Sequence, residues 1–250
     1  PTADEDMFIK SYAHINRNGL YINRYSTDTT LNSVITIHGS TYCAGNLATG
    51  WSSELLTVYG DLYVEGDFSP QCPVYVTGNV YCGGNLTTAW DKNLKVGGNL
   101  YVEGDVSLQG NTSIYGEYFY AGGSLTSASN HTLICGCETY VEKEIILSGT
   151  SNFNGSVYCM GDFTKQGSVS MNVSGNVYAY EKLNLQSGGT VINGDIFVYG
   201  KSASSSDTVT EICGPMTLDG DIYNRKGELK LSGQGAYMLR GVLYSGGSIS

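Results

Sequence analysis

The sequence predicts an all-β fold, a single-stranded parallel β-helix (solenoid) of about eleven coils, and three observations support this prediction. A unit of roughly 20 residues repeats along the chain. Glycines recur at two fixed positions of the unit, and apolar residues alternate with polar or aromatic ones between them. One such unit cannot bury its apolar side alone, whereas stacked copies share one continuous core.

The repeat is clearest in three neighbouring phrases, GDLYVEGD from Gly60, GNVYCGGN from Gly78 and GNLYVEGD from Gly98. Aligning the chain on the central aromatic gives eleven units spaced 18 to 26 residues apart. Glycine lies three residues before this aromatic in ten units and three residues after it in eight. Because glycine adopts positive φ at little cost, we expect each pair to form two corners of a coil. The central aromatics are Tyr42, Tyr63, Tyr81, Tyr101, Phe119, Tyr140, Tyr158, Tyr178, Phe197, Tyr223 and Tyr244.

The residues next to each central aromatic indicate which side of the strand faces inward. They are mostly apolar and often small, as at Cys43, Cys82 and Cys159, which suits a crowded interior. Since successive side chains of a strand point to opposite faces, the aromatics are predicted to face outward. Five residues before each aromatic, an apolar residue predicts a buried column. This column comprises Ile37, Val58, Val76, Val96, Ile114, Cys135, Phe153, Val173, Ile192, Leu218 and Leu239.

Two segments are expected, with a boundary near residue 34. Residues 35–250 carry the repeat and are predicted to form one β-helical domain. Residues 1–34 lack the pattern, and we expect them to form an N-terminal cap, because an open solenoid end exposes core and unpaired backbone.

Composition excludes several classes of partner. The formal net charge of −10 argues against nucleic acid, and no apolar run approaches the roughly 20 residues that a membrane span needs, so no membrane insertion is expected. The seven cysteines form no Cys-x-x-Cys pair and only three histidines are present, so neither a metal site nor a cofactor is expected. We expect most cysteines to be reduced and Cys43, Cys82 and Cys159 to be buried.

The outward aromatic column suggests a binding face. Stacked aromatics stabilise neighbouring strands by themselves. Flat aromatic rows also pack on the apolar faces of sugar rings, and short polar side chains beside them suit sugar hydroxyls. The hypothesis is non-catalytic binding of a polysaccharide. The candidate carbohydrate-binding residues are Tyr63, Tyr81, Tyr101, Phe119, Tyr140, Tyr158, Tyr178, Phe197, Asn79, Asn99 and Asn176.

An acidic β-helix rich in tyrosine, glycine and asparagine, with an outward aromatic face, resembles the tāpirins, surface proteins of plant-biomass-degrading thermophilic bacteria. That family is known for a β-helical C-terminal domain that attaches cells to cellulose. The resemblance covers residues 35–250. It implies an extracellular or cell-surface location, insoluble cellulose as the partner and no catalysis.

Two other readings stay open. The chain, or a larger parent chain, could be a self-assembling structural β-helix of the bactofilin-like kind, associating end to end. Polysaccharide-degrading enzymes also use parallel β-helices, so fold alone does not decide. The carboxylates here, such as Glu65, Glu103 and Glu138, recur along the repeat instead of forming one cluster, which argues against a catalytic site.

Overall fold

In the computed structural model of the chain, the described residues are 35–51 and 55–250, with five short strands inside residues 2–31. Every regular element of this described part is a β-strand, and the strands pair in parallel as a β-solenoid. The predicted all-β class and parallel β-helix are confirmed. The chain divides into two compact units, residues 1–123 and 124–250. That residues 35–250 form one domain stays a prediction.

The first unit contains strands of two to four residues. These are β1 (Thr2–Ala3), β2 (Phe8–Ile9), β3 (Ala13–Ile15), β4 (Leu20–Ile22), β5 (Thr29–Leu31), β6 (Ile35–His38), β7 (Thr41–Cys43), β8 (Leu47–Thr49), β9 (Leu56–Tyr59), β10 (Leu62–Val64), β11 (Phe68–Ser69), β12 (Val74–Val76), β13 (Val80–Cys82), β14 (Leu86–Thr87), β15 (Leu94–Val96), β16 (Leu100–Val102), β17 (Val106–Leu108), β18 (Thr112–Ile114) and β19 (Tyr118–Ala121). Every third strand joins the same sheet, so each coil adds one strand to each of three sheets.

The second unit continues the same rule with strands of three to six residues. They are β20 (Leu125–Ser127), β21 (Thr132–Cys135), β22 (Glu138–Val141), β23 (Ile145–Leu147), β24 (Thr150–Phe153), β25 (Val157–Cys159), β26 (Phe163–Lys165), β27 (Met171–Val173), β28 (Val177–Ala179), β29 (Leu183–Leu185), β30 (Thr190–Ile192), β31 (Ile196–Val198), β32 (Thr208–Cys213), β33 (Met216–Leu218), β34 (Ile222–Asn224), β35 (Glu228–Ser232), β36 (Tyr237–Leu239) and β37 (Leu243–Ser245).

Side chains alternate as the sequence predicts. In typical three-residue strands such as β13 and β25, the first and third residues are buried and the middle one is partly exposed. The predicted apolar column is in register within each unit, and it is fully buried from Ile37 to Ile114 and from Cys135 to Leu218. Only Leu239, on the last coil, is partly exposed.

The segment expected to form a cap supplies strands to the solenoid. Its strands β1 to β5 join the three sheets, and Tyr21 of β4 pairs with Tyr42 of β7. The sequence pattern did not predict these strands. The rest of residues 1–34 lies outside the described residues, so the covering role of the cap stays a prediction.

Most corner glycines do not have the expected positive φ, although Gly39 and Gly200, with φ of 117° and 56°, do. Gly98 and its equivalents Gly78 and Gly116 are not among the glycines with positive φ. A Cβ atom at Gly98 would instead lie 2.5 Å from Asn79 Oδ1 and 2.8 Å from the carbonyl carbon of Gly78. Glycine is needed because the polar side chain of the preceding coil occupies the space below the corner.

The cysteines are free thiols, and six of the seven are buried. Cys82 Sγ lies 3.3 and 3.4 Å from the carbonyl oxygens of Gly66 and Asn85, which share its one proton. Cys159 makes the equivalent contacts with the carbonyls of Lys143 and Asp162 in the second unit. Cys43 is also buried, as predicted. These thiols fill the inward position at a corner and satisfy backbone carbonyls there.

Candidate functional site

The aromatic ladder is the column of outward side chains at the middle of the strands of one sheet. In the first unit it comprises Tyr42, Tyr63, Tyr81, Tyr101 and Tyr120, which pair in register from coil to coil. Because parallel in-register strands stack identical positions at the strand spacing, the rings lie face to face. The ring centroids of Tyr63 and Tyr81 are 4.7 Å apart with 2° between the planes, and those of Tyr81 and Tyr101 are 5.1 Å apart.

The ladder of the second unit is equally regular. Tyr158 lies between Tyr140 and Tyr178, with centroid distances of 4.5 and 4.6 Å. Phe197 continues the stack at 4.9 Å from Tyr178 and 5.0 Å from Tyr223. The ladder includes Tyr244 by strand register, and that ring is 56% exposed.

This stacking decides which part of each ring is free. A side chain such as Tyr158 or Tyr178 contacts a neighbouring ring on both faces, and each is only partly exposed. The ladder therefore presents ring edges and hydroxyls to solvent. Packing of sugar rings on the flat faces, the contact expected from the sequence, is not open to the inner rings.

Phe119 is a correction to the predicted site. Its side chain is fully buried, and it pairs with the inward Leu100 while Tyr120 pairs with Tyr101. The coil contains one extra residue at its corner, where the backbone amides of Glu117 and Tyr118 both donate to Asn99 Oδ1, at 2.7 and 3.0 Å. This insertion shifts the strand by one position, which turns Phe119 inward and places Tyr120 in the ladder.

Asparagine and aspartate side chains form a second column along the ladder. The backbone amide of Asn99 donates to Asn79 Oδ1 at 2.8 Å, and that of Asp195 donates to Asn176 Oδ1 at 2.8 Å. Asp61 Oδ1 accepts the amide of Asn79 in the same way, at 2.7 Å. These hydrogen bonds connect each corner to the next coil. The predicted residues Asn79, Asn99 and Asn176 thus lie beside the ladder with their oxygens engaged by backbone.

The same column sets the direction of the tyrosine hydroxyls. Asn99 Nδ2 and Asn176 Nδ2 donate to the hydroxyls of Tyr101 and Tyr178, at 3.3 and 3.0 Å. These two hydroxyls accept a bond from protein and keep their own proton for another acceptor. Tyr223 instead donates its proton to Asp221, at 2.8 Å.

Three tyrosines of the ladder have raised pKa values. Burial, followed by the charge of Asp61, raises the pKa of Tyr63, and the hydrogen bond to Asp221 raises the pKa of Tyr223. Burial also raises the pKa of Tyr81. Since these pKa values lie above an already high ordinary value, the hydroxyls stay protonated at neutral pH.

Several exposed aromatics outside the ladder were not singled out by the sequence pattern. Trp51 and Trp90 are 65% and 52% exposed, and the Lys92 ammonium lies 4.6 Å from the Trp51 ring. Tyr180 and Tyr199 stack on each other two positions beyond the ladder. Their recurrence two residues after Tyr178 and Phe197 was a usable signal.

In the part of the chain that the structure describes, no group of three or more His, Cys, Asp or Glu side chains is placed to hold a metal ion. No helix long and apolar enough to cross a membrane is found among these residues either. Comparisons with protein-family models, with curated proteins and with solved structures gave no match.

Proposed function

We propose that the chain is a non-catalytic polysaccharide-binding module that attaches to an extended, insoluble glycan such as cellulose at the cell surface. The observation that supports this most is the ladder itself. It is an uncharged column of outward aromatic side chains whose spacing is fixed at 4.5–5.1 Å by a rigid backbone.

The contact is made by edges and hydroxyls. The advance of one coil, about 4.8 Å, is comparable with the advance of one sugar in an extended β-linked glycan. A chain lying along the ladder therefore meets one ladder side chain per sugar, and each of these offers a hydroxyl except Phe197. Hydroxyls of the Tyr101 and Tyr178 kind have a proton to donate to a sugar oxygen, and hydroxyls of the Tyr223 kind accept. In this account, Asn99 and Asn176 are positioning residues that act through the tyrosines.

Repetition makes weak contacts sufficient. A single hydrogen bond contributes only about 0.5–1.5 kcal/mol. Several on one rigid face act as a multivalent set, so affinity for a polymer surface far exceeds that for a short oligosaccharide. Because the ladder is uncharged, salt has little effect on this binding.

The experiment is a pull-down of the purified chain on insoluble cellulose, chitin and xylan, with soluble di- and trisaccharides as competitors. We expect retention on at least one polymer in both low and high salt, and little competition by the sugars. A reducing-sugar assay on the same mixtures should stay at background. No retention on any polymer contradicts the proposal, and released sugar contradicts its non-catalytic part.

Matched variants locate the binding face. Replacing Tyr81 and Tyr101 by Ala should weaken retention at least tenfold. Replacing Tyr75, a partly exposed residue of strand β12, and Tyr115, an exposed residue just after strand β18, should not. Equal effects of the two pairs would remove the ladder from the proposal.

End-to-end self-association is a second candidate, supported by the last coil. Its strands β36 and β37 each pair with one earlier strand, and four large apolar side chains of this coil are more than half exposed. These residues are Met238, Val242, Tyr244 and Ile249. A second copy of the chain, or further coils of a larger parent chain, would pair the strand edges at this surface and bury the side chains.

Light scattering after size-exclusion chromatography tests this candidate over a range of protein concentrations. Association should grow with concentration and be lost in Met238→Lys/Val242→Lys, while Leu55→Lys/Met160→Lys should keep it. A monomer at all concentrations would rule the candidate out.

A further inference from the structure

The position two residues after each ladder residue forms a separate column, whose chemistry changes along the chain. In the first unit this position holds Ala44, Glu65, Gly83, Glu103 and Gly122. In the later coils of the second unit it holds Tyr180, Tyr199 and Arg225. Strand register places these three one above the other, because Phe197 pairs with Tyr178 and with Tyr223. These coils of the second unit therefore carry aromatic and cationic side chains at this position.

Two adjoining cavities open at this place. The first has a volume of about 290 Å³ and is lined by Tyr180, Tyr199, Lys201, Arg225 and Lys226. The second has a volume of about 240 Å³ and is lined by Phe197, Val198, Tyr199, Tyr223, Arg225 and Tyr244. They share Tyr199 and Arg225, which form the wall between them.

The positive charge of the first cavity is not neutralised by the protein. Among the described residues, none of Lys201, Arg225 and Lys226 has a carboxylate within ion-pair distance, and the Lys226 ammonium donates only to the Lys201 carbonyl, at 3.3 Å. No acidic residue lines either cavity.

Glu181 and Asp221 lie within two residues of Tyr180 and Tyr223 in the sequence; they keep their charge, but their hydrogen bonds come from neutral donors and not from these cations. Glu181 accepts hydrogen bonds from the backbone and hydroxyl of Ser202, at 2.8 and 2.9 Å. Asp221 accepts from the Tyr223 hydroxyl and from the Val242 amide, at 2.8 and 2.7 Å. In a chain of net charge −10, three unpaired cations around one cavity therefore form a local site for an anion.

The aromatic walls add shape to this charge. Tyr180 and Tyr199 stack at 4.6 Å, but their planes are inclined by 26°, whereas the ladder rings are within 9° of parallel. A small ring can pack against these side chains, while the guanidinium of Arg225 offers a fork that matches a carboxylate. A free inorganic anion would use the cations and leave the aromatic walls without contact.

We propose that these cavities bind an anionic sugar unit, a hexuronate whose carboxylate pairs with Arg225 and whose ring lies against Tyr199. Lys201 and Lys226 flank the carboxylate. This site is separate from the ladder and does not depend on the polysaccharide that the ladder binds. Its binding is charge-driven, so it weakens with salt.

Titration calorimetry of the whole chain in low salt tests the proposal, with trigalacturonate as the probe. We expect saturable binding that is at least tenfold weaker in 0.5 M NaCl. The uncharged trisaccharide of the same linkage and parent sugar should bind at least tenfold more weakly than the charged one. Equal binding of the two sugars, or no binding of either, overturns the proposal.

Variants assign the binding to these cavities. Arg225→Gln/Lys226→Met should reduce affinity for trigalacturonate at least tenfold, because both side chains are exposed and unpaired. Lys92→Met/Lys95→Met removes the same charge from the first unit and should change affinity less than twofold. An equal loss in both variants would mean that only net charge matters, which contradicts a site.

Two further measurements separate this site from simple anion binding and from the ladder. Sodium sulfate or phosphate at matched ionic strength should compete no better than NaCl, and stronger competition would reduce the site to one for any oxyanion. Tyr140→Phe/Tyr158→Phe should leave trigalacturonate binding unchanged, so failure of the ladder and failure of this site are distinguishable.

Discussion

Gly98 and Gly167 illustrate two different reasons for a glycine in a solenoid corner. Any side chain at Gly98 would meet Asn79 and the backbone of the preceding coil. Gly167 has no atom within 4 Å of the Cβ position, but its φ is +65°. Steric contact with backbone cannot be relieved by a side-chain rotation, whereas positive φ costs a non-glycine residue about 1–2 kcal/mol.

We therefore expect Gly98→Ala to lower the free energy of unfolding by more than about 3 kcal/mol and Gly167→Ala by about 1 kcal/mol. Urea denaturation followed by circular dichroism measures both. Equal losses in the two variants would contradict the steric explanation of the Gly-Asn corners.

The thiols of Cys82 and Cys159 should be inert in the folded chain. Burial raises the pKa of Cys82 to about 11 and that of Cys159 to about 12, so almost no thiolate is present at pH 8. We expect these two thiols to react slowly with a thiol reagent in the native state, and at least five of the seven thiols to react in denaturant without reductant. Recovery of only one thiol would indicate disulfides.

Lys165 is a fully buried lysine whose ammonium donates to the carbonyls of Val169, Ser187 and Gly188, at 3.0, 2.9 and 3.4 Å. Burial lowers its pKa from 10.5 to about 8. Between these values the folded chain binds fewer protons than the unfolded chain, so unfolding free energy rises with pH there. The destabilising effect of the buried charge is complete below pH 8 and is relieved towards pH 10.5.

Lys165→Met provides the reference, because the tyrosines and cysteines titrate alike in both proteins. The difference in unfolding free energy, wild type minus variant, should rise by up to about 3 kcal/mol between pH 7.5 and 10.5. A difference that stays constant over this range would show that the three hydrogen bonds to carbonyls hold the lysine charged.

At the scale of elements, strand β19 shows where sequence reasoning chose the wrong register. Three consecutive aromatics occupy positions 118–120, and the spacing from Gly116 selected Phe119. The residues that follow would have selected Tyr120, because Ala121-Gly122-Gly123 repeats the pattern Cys82-Gly83-Gly84 after Tyr81. An insertion at one corner is visible only when both corners are aligned.

The ring stack is also a property of the strand pair. Alternation predicted that the tyrosines face outward, and in-register parallel pairing at the strand spacing then brings their faces together. The pattern of residue types did not show this consequence, nor the engagement of Asn79, Asn99 and Asn176 with backbone of the next coil. Both depend on the register between coils, which the sequence leaves open.

Removing one ring should show how much ring stacking contributes to the free energy of unfolding. Tyr158 contacts a ring on each face, so Tyr158→Ala should lower the free energy of unfolding by about 1–3 kcal/mol. Tyr158→Phe should lower it by less than 0.5 kcal/mol, because Phe197 already occupies an equivalent place at normal stacking distances. Thermal and urea denaturation measure both variants. If the alanine variant were as stable as the parent, ring stacking would make no contribution to the stability of the fold.

At the scale of the whole chain, periodicity was sufficient for the architecture. The repeat of about 20 residues, with its apolar column, predicted the coil, the buried side and the outward column. All three are present in both compact units of the chain. The repeat pattern did not predict the strands of residues 2–31, because this segment lacks the glycine pairs. The sequence pattern did not predict the cavities near Arg225, because their walls come from three coils whose residues are separated in sequence and brought together by the strand register.

Charge divides the two proposed binding modes over the molecule. The ladder is uncharged and the Arg225 cavities are cationic, so the same chain should show salt-insensitive retention on a neutral polymer and salt-sensitive binding of a hexuronate. Measuring polymer retention and hexuronate binding at 0.05 and 0.5 M NaCl checks this expectation. If both depended equally on salt, they would be one charge-driven interaction and not two binding modes.

The most direct test of the central claim compares Tyr140→Phe/Tyr158→Phe/Tyr178→Phe with the parent chain on the polymer that the parent binds best. This variant keeps the ring stack and loses three hydroxyls. At about 0.5–1.5 kcal/mol for each hydroxyl, we predict at least a tenfold loss of retention with an unchanged melting temperature. Retention equal to that of the parent by a fully folded variant would contradict binding through the ladder.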